Sequence, residues 1–417
     1  MKYKSKLVTF ILMLFNGAAY YTAWPLVLLH QYYYDGMQEA FQMTHGQMGT
    51  YGMVGGLCAI TGYLLGGILA DIFDTKKLLC AAMLLQTAGY IFMATIPSYG
   101  VLVVFDLIIT LASVGCFWGA FSKYVRILSE NDPEKESRMY GLQYAFVGIC
   151  GAVLGTIGAK LVSGGATTAA GMQHMFLLNA VVAGLTFLVN LFLFKPVINL
   201  VGTGEDKFRF SYVLDLIKMP VFWLAGIAIL AIYGTSVATS YMSPLLYSIG
   251  LPLGVVSAIG SFKYFAMRLI FAPVGGTLMD KTGSPTKIVT CVLVLAVVCL
   301  FAVGLLPMTA VVLVGAIIIC SICYKISTHA WFSSLTEAGV PDKYKGTAVG
   351  LFAMLYQSPD FFGYAIGGNL LEKYGDAGYD MIFLMWAVIA VIGLICAVLA
   401  LRLLKKKKAA QSETAAQ

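Results

Sequence analysis

A chain of 417 residues of which 59% are hydrophobic and only 11% charged is too apolar to be an ordinary water-soluble domain. Its net charge of +7 does not point to nucleic acid, because that function needs a basic patch clustered on a soluble face, and here the basic residues are spread along the chain. Nine cysteines fall within or at the ends of apolar runs, where they read as small buried hydrophobes and not as a disulfide framework.

Crossing a hydrocarbon layer about 30 Å thick takes roughly 20 helical residues, and apolar runs of that size recur from end to end. Twelve spans are predicted: 5–30, 47–70, 78–96, 101–126, 139–163, 173–195, 219–247, 253–279, 288–307, 309–334, 347–370 and 381–403. The first follows Lys2, Lys4 and Lys6 and is too long for a signal-peptide core, so it is expected to remain as a helix. It carries Asn16, Tyr20, Tyr21 and Trp24, with Tyr20 and Trp24 on one face. Tyr32, Tyr33 and Tyr34 follow at the span's end, where aromatic side chains commonly form an interfacial belt.

Lysine and arginine mark one side of this array. Lys76, Lys77, Lys135, Arg138, Lys195, Lys207, Arg209, Lys218, Lys281, Lys287, Lys343, Lys345, Arg402 and Lys405 to Lys408 fall on the side of the N-terminus, whereas the opposite connections hold Lys373, with Lys160 near a helix end. Basic residues are retained in the cytoplasm during insertion, so both termini are expected there. The longest polar connection comes at the midpoint. It divides the chain into a first six-helix half (1–195), a cytoplasmic linker (196–218), a second six-helix half (219–403) and a basic, polar tail (404–417) expected to be disordered.

The halves repeat. Gly66-Gly67-Ile-Leu-Ala-Asp71 matches Gly275-Gly276-Thr-Leu-Met-Asp280 at an offset of 209 (276 − 67), and Gly141-Leu142 and Gly158 match Gly350-Leu351 and Gly367 at the same offset. A constant offset near half the chain length indicates a duplicated unit. With a Gly-x-x-x-Asp loop after the second and eighth spans and a central linker, the whole chain resembles the major facilitator superfamily. That resemblance implies an all-α membrane fold of two pseudo-symmetric six-helix halves and transport by alternating access. It also assigns Gly67, Asp71, Gly276 and Asp280 to a gating loop, although Ile72 and Asp74 depart from the family pattern in the first copy. The stretches from His45 to Gly49 and from Leu251-Pro252 through Ala272-Pro273-Val-Gly-Gly276 are similar to bacterial organic-anion transporters of the sulfosugar-breakdown type.

The charged residues inside the spans suggest the cargo. Lys123 and Arg126, near the end of the fourth span, read as interfacial. Lys263, Arg268 and Lys325 are deeper, and a charge at mid-bilayer costs about 2.5–3.5 kcal/mol on insertion scales, so such residues are expected to face a polar chamber. Tyr264 shares a face with Arg268, Ser321 and His329 with Lys325, and Tyr356 and Tyr364 with Asp360, which follows Pro359. Five residues separate Lys263 from Arg268, which turns them about 140° apart on an α-helix. Arg268 and Asp360 fall at similar depth and are candidates for a pair.

Three cations against one carboxylate suit a small organic anion: a carboxylate, sulfonate or phosphate ester. Substrate binding is assigned to Arg268, Lys325, Lys263 and Tyr264, with Tyr20 and Trp24 facing them, and proton coupling to Asp360 or, second, His329. The expected partners are this anion, protons or a counter-anion, and the bilayer, for a monomer in a bacterial inner membrane. No nucleic acid, cofactor or metal is called for. Cys320-Ser-Ile-Cys323 has no second pair, the four histidines are scattered and no Gly-x-x-x-x-Gly-Lys loop is present, so neither an enzyme nor an ATP-driven pump is expected. The alternative is a proton-coupled exporter of lipophilic or drug-like compounds, which would need an acidic chamber.

Overall fold

The computed structural model describes residues 6–23, 29–31, 33–129, 133–195, 210–307, 309–328, 330–340 and 345–415. Their regular structure is helical, with no strand among the described residues. In chain order the helices are α1 (Lys6–Thr22), α2 (Tyr34–Ala40), α3 (His45–Ile72), α4 (Thr75–Met93), α5 (Tyr99–Leu128), α6 (Pro133–Gly164), α7 (Thr168–Leu193), α8 (Phe210–Ile217), α9 (Pro220–Ser248), α10 (Leu253–Ser261), α11 (Met267–Thr282), α12 (Pro285–Leu305), α13 (Ala310–Ile326), α14 (Ala330–Glu337), α15 (Lys345–Tyr374) and α16 (Ala377–Ala415). A π-turn, Phe262–Ala266, joins α10 to α11 in one continuous rod.

Among the described residues, α5, α6, α7, α9, the α10–α11 rod, α12 and α16 are long and apolar enough to cross a bilayer. Others fall short for local reasons. The α13 helix is apolar but has 17 residues, and α15 contains Lys345, Asp360, Glu372 and Lys373. The last helix runs past residue 403, through the lysine run, to Ala415.

Polar residues set the helix starts. Thr44 accepts from the Gln47 backbone N–H at 3.2 Å while the Gln47 side chain accepts from the Thr44 N–H at 3.0 Å, a reciprocal cap at the start of α3. The residues from His45 to Gly49 are therefore a helix start. Asp74 caps α4 by accepting from the N–H groups of Lys76 and Lys77. This explains the departure of the first repeat from the family loop pattern: the aspartate at 74 begins the next helix.

The helices form two compact bodies. One gathers residues 1–203 with Ser243–Leu269 and Tyr364–Asn369; the other holds Gly204–Met242, Ile270–Gly363 and Leu370–Gln417. In the first body α5 packs on α3 and α4, α7 on α4 and α1, and α6 on α1, α10 and the π-turn. Asn16 of α1 and Asn190 of α7 exchange hydrogen bonds at 3.0 Å in each direction, fixing that crossing without a charge. In the second body α12 packs against α13, α14 and α16.

The repeat has a structural counterpart. A Cβ on Gly66 would lie 3.2 Å from the carbonyl oxygen of Gly115 in α5, and one on Gly275 would lie 2.0 Å from that of Ile326 in α13. These glycines are related by the 209-residue offset, and each permits a close crossing in its own body.

Candidate functional site

The first body presents Arg268 on a wall of aromatic rings. Its Nη1 donates to the Tyr20 hydroxyl at 3.4 Å, and its Cζ lies 5.6 Å from the centroid of Tyr20 and 5.0 Å from that of Tyr144. Phe117, Trp118, Phe121 and Tyr144 surround the Tyr20 ring at centroid distances of 5.8–6.4 Å. A guanidinium stacked on phenol faces is held by the quadrupoles of the rings.

The π-turn changes the geometry expected at Lys263. The Met267 N–H bonds back to Phe262 over five residues, inserting one extra residue into the helix. That extra residue reduces the rotation between Lys263 and Arg268 from about 140° to about 40°, bringing the two cations toward one face. Lys263 is 4% exposed and Tyr264 packs its ring 5.1 Å from Phe265. Four of the expected substrate residues, Tyr20, Lys263, Tyr264 and Arg268, thus belong to one body. Trp24, the fifth from these helices, lies outside the described residues.

The second body presents Lys325 and Asp360 with a tyrosine cluster. Lys325 is 2% exposed, with Nζ 4.4 Å from the Tyr324 ring centroid. The hydroxyls of Tyr324 and Tyr356 are 2.8 Å apart. Tyr233 of α9 has its ring 4.4 Å from that of Tyr356, tilted by 49°, and donates to Asp360 Oδ2 at 2.5 Å. Asp360 is fully buried, and its Oδ1 has no hydrogen-bond partner among the described residues. The hydrogen-bond donor at its Oδ2 is thus a phenol. Tyr364 belongs to the first body, where its ring stands edge-on to His30 at 4.2 Å. His329 lies outside the described residues.

Pro359 does not break α15, which runs from Lys345 to Tyr374. Proline cannot donate to the carbonyl one turn earlier, that of Leu355, and the Ser358 hydroxyl donates to it instead at 2.7 Å. The backbone beside the buried carboxylate thus remains helical with its freed acceptor satisfied.

Among the gating residues, Gly67 and Asp71 are placed in α3 by its backbone. Asp280 is exposed in the last turn of α11. The polar contact in that region comes from Glu337 at the end of α14, which accepts from the Ser284 hydroxyl, from the Thr286 N–H at 3.0 Å and from the Thr286 hydroxyl at 2.6 Å. A carboxylate is favoured at the N-terminus of α12 by unpaired N–H groups and the helix dipole. Lys123 likewise terminates a helix, donating from Nζ to the Ala70 carbonyl at 2.5 Å near the C-terminal end of α3.

Sequence reasoning missed Tyr144, Tyr233 and Asp106. The tyrosines lie within apolar runs, where nothing in the spacing separates a cation-stacking ring from core packing. Asp106 had a visible signal, a lone acid in Val103-Val104-Phe105-Asp106-Leu107-Ile108.

Long apolar helices that carry buried lysine and aspartate and a half-buried arginine describe a multi-pass membrane protein. The chain belongs to the Major Facilitator Superfamily, whose model matches residues 8–364. It is similar to the inner membrane protein YihN of Escherichia coli K12, 22% identical over 426 residues with 97% of each chain covered. The inner membrane protein YqcE of the same organism is 22% identical over 373 residues, covering 87% of this chain and 86% of that one. Among solved structures, the nucleoside transporter NupG superposes with a TM-score of 0.72 at 13% identity, covering 93% of this chain and 99% of that one. A bacterial homologue of the lysosomal transporter Spinster, inward-facing and unoccupied, gives 0.70 at 16% identity, covering 96% and 98%. The fold is thus that of a secondary transporter.

Proposed function

We propose that the protein is a secondary active transporter of a bacterial inner membrane that moves a small organic anion by alternating access, in proton symport or anion exchange. The halves of the chain rock about the cargo, with both termini in the cytoplasm, and the chain works as a monomer without cofactor or metal.

The observation that supports this reading is the setting of the three deep cations. Arg268 lies on Tyr20 and Tyr144, Lys263 is brought toward the same face by the π-turn, and Lys325 lies on Tyr324. A planar guanidinium and two ammonium groups are the donors that recognise a carboxylate, sulfonate or phosphate ester, and their contacts with aromatic faces orient them. Asp360, with one oxygen held by Tyr233 and the other without a partner, is the proton-coupling group. In the gating loops, Gly67 and Gly276 take the glycine positions and Asp71 and Asp280 act as latches; a Cβ on Gly276 would meet nothing within 4 Å, and the close approach is made at Gly275.

The test is a thermal-shift screen of the purified protein against carboxylates, sulfonates, sugar phosphates and lipophilic cations, repeated with Arg268→Ala. An anion class should raise the melting temperature of the wild type, and that rise should vanish in the variant. Stabilisation by neutral or cationic compounds alone would overturn the proposal.

A further inference from the structure

A second buried carboxylate lies in the first body, apart from the cargo residues described there. Asp106 occurs about two turns into α5 and is 1% exposed. Tyr51 of α3 donates to its Oδ2 at 2.7 Å, and Thr110, one turn further along α5, donates to its Oδ1 at 2.9 Å. The titratable groups facing it are Tyr51 and Cys58 on α3 and Tyr90 on α4. The Cys58 thiol is directed to the Leu107 carbonyl at 3.7 Å, and the Tyr90 hydroxyl donates to the Thr22 carbonyl at 3.1 Å. From α6, also packed on α5, no titratable side chain reaches it among the described residues. His30 stands beyond Tyr51, its ring edge-on at 6.2 Å, and no lysine, arginine or histidine pairs with Asp106 among the described residues.

A carboxylate removed from water and held by two hydroxyls has lost hydration that no positive charge returns. The neutralising species that such a site lacks is a proton. Its position gives that proton a mechanical consequence. Two residues before Tyr51, Gly49 makes a backbone crossing with α15: a Cβ there would lie 2.5 Å from the Tyr364 carbonyl oxygen and 2.8 Å from Gly368 Cα. Asp106 therefore holds, through Tyr51, the segment of α3 that makes this crossing.

We propose that Asp106 is a second proton-binding site, distinct from Asp360, which gains and loses a proton as the Gly49–Gly368 crossing opens and closes. One proton from water adds to the carboxylate to give a neutral carboxylic acid. The acid then has an O–H to donate, and when the proton sits on Oδ2 the Tyr51 hydroxyl there turns from donor to acceptor or lets go. Either change alters the tie between α3 and α5 beside the crossing, whereas a proton on Oδ1 meets Thr110 within α5. The purpose of the site rests on the transporter reading, whereas its chemistry does not.

Because no cargo is needed to detect protonation, the experiment is a pH titration of the purified full-length protein by infrared difference spectroscopy, following the carbonyl band of protonated carboxylic acids. Wild type, Asp106→Asn, Asp360→Asn and Tyr51→Phe are compared. The expected result is a titrating band that persists in Asp360→Asn, is lost in Asp106→Asn, and has its midpoint displaced by about one pH unit in Tyr51→Phe. A purely packing role for Asp106 would give no such displacement. If Asp106→Asn fails to fold, Asp106→Glu replaces it, and the band must shift in frequency. The proposal is overturned if the whole titrating signal disappears in Asp360→Asn, or if the Asp106 band is absent or constant across the pH range in which the protein stays folded. Loss of the Asp106 signal alone leaves the Asp360 reading standing, and the reverse outcome leaves this one.

Discussion

Gly49→Ala tests whether closure at one end of the molecule is part of a working cycle. The added methyl would sit 2.5 Å from the Tyr364 carbonyl oxygen and 2.8 Å from Gly368 Cα, both backbone atoms. Ordinary carbon contacts need about 3.5 Å or more, so α3 and α15 must separate by close to an ångström at this crossing. Overpacking of this size costs about 1–3 kcal/mol. In an alternating-access cycle that cost falls on the closed state and leaves the open one unaffected, which corresponds to a 5–150-fold gain in the open population. A cysteine in place of Ser261 reports the gain, because Ser261 is buried and a Cβ on Gly155 would lie 2.7 Å from its own Cβ. In a background with the native cysteines replaced, a membrane-impermeant maleimide should label this cysteine 5–150-fold faster once Gly49→Ala is added. Equal labelling rates in two well-folded proteins would refute the reasoning, since the crossing would then be static packing.

Three further substitutions probe the cargo site and the first connection. Asp360→Asn should abolish proton-driven uptake of the anion identified by thermal shift while sparing exchange of that anion across vesicle membranes; uphill uptake at the wild-type level would remove Asp360 from coupling. Arg268→Lys keeps the charge but loses the planar face over Tyr20 and Tyr144, so anion affinity measured by calorimetry should fall about tenfold. Full affinity in that variant would show that charge alone suffices. Asp35, on α2 between the first two spans, is raised from 3.8 to about 7 by burial, with the nearby Glu39 adding to the effect and a backbone hydrogen bond opposing it. Its folded value exceeds its unfolded one, so its stabilisation is complete below about pH 4 and is lost as pH rises through about 7, by at most about 4 kcal/mol. Asp35→Asn should therefore flatten the decline of melting temperature over that window, and an unchanged slope would refute the assignment.

Much of this architecture was legible because a bilayer imposes length and polarity rules that survive in a single sequence. Apolar runs gave the helices, and the 209-residue offset located Gly66 and Gly275, which the structure places at close crossings. That Lys263, Arg268, Lys325 and Asp360 fall inside apolar runs was likewise readable. Their partners were not. Helical spacing assumed a regular turn between Lys263 and Arg268, whereas the π-turn between them is a hydrogen-bonding detail with no compositional mark. The phenols that hold Arg268 and Asp360 come from α1, α6 and α9, far away in sequence, and tyrosine is too common here for spacing to single them out. The acidic residue at 74 is a helix cap and Glu337 is an anchor at the start of α12, a distinction that needs the hydrogen bonds themselves.

Recognition of an anion by Arg268, Lys263 and Lys325 is the centre of the proposed function. Its most direct test is electrophysiology of proteoliposomes on a solid-supported membrane, with rapid exchange into carboxylates, sulfonates, phosphate esters, neutral analogues and lipophilic cations. The account predicts a transient current for one class of anion, dependent on pH and absent in Arg268→Ala. Currents evoked by neutral or cationic compounds, with every anion silent, would contradict it.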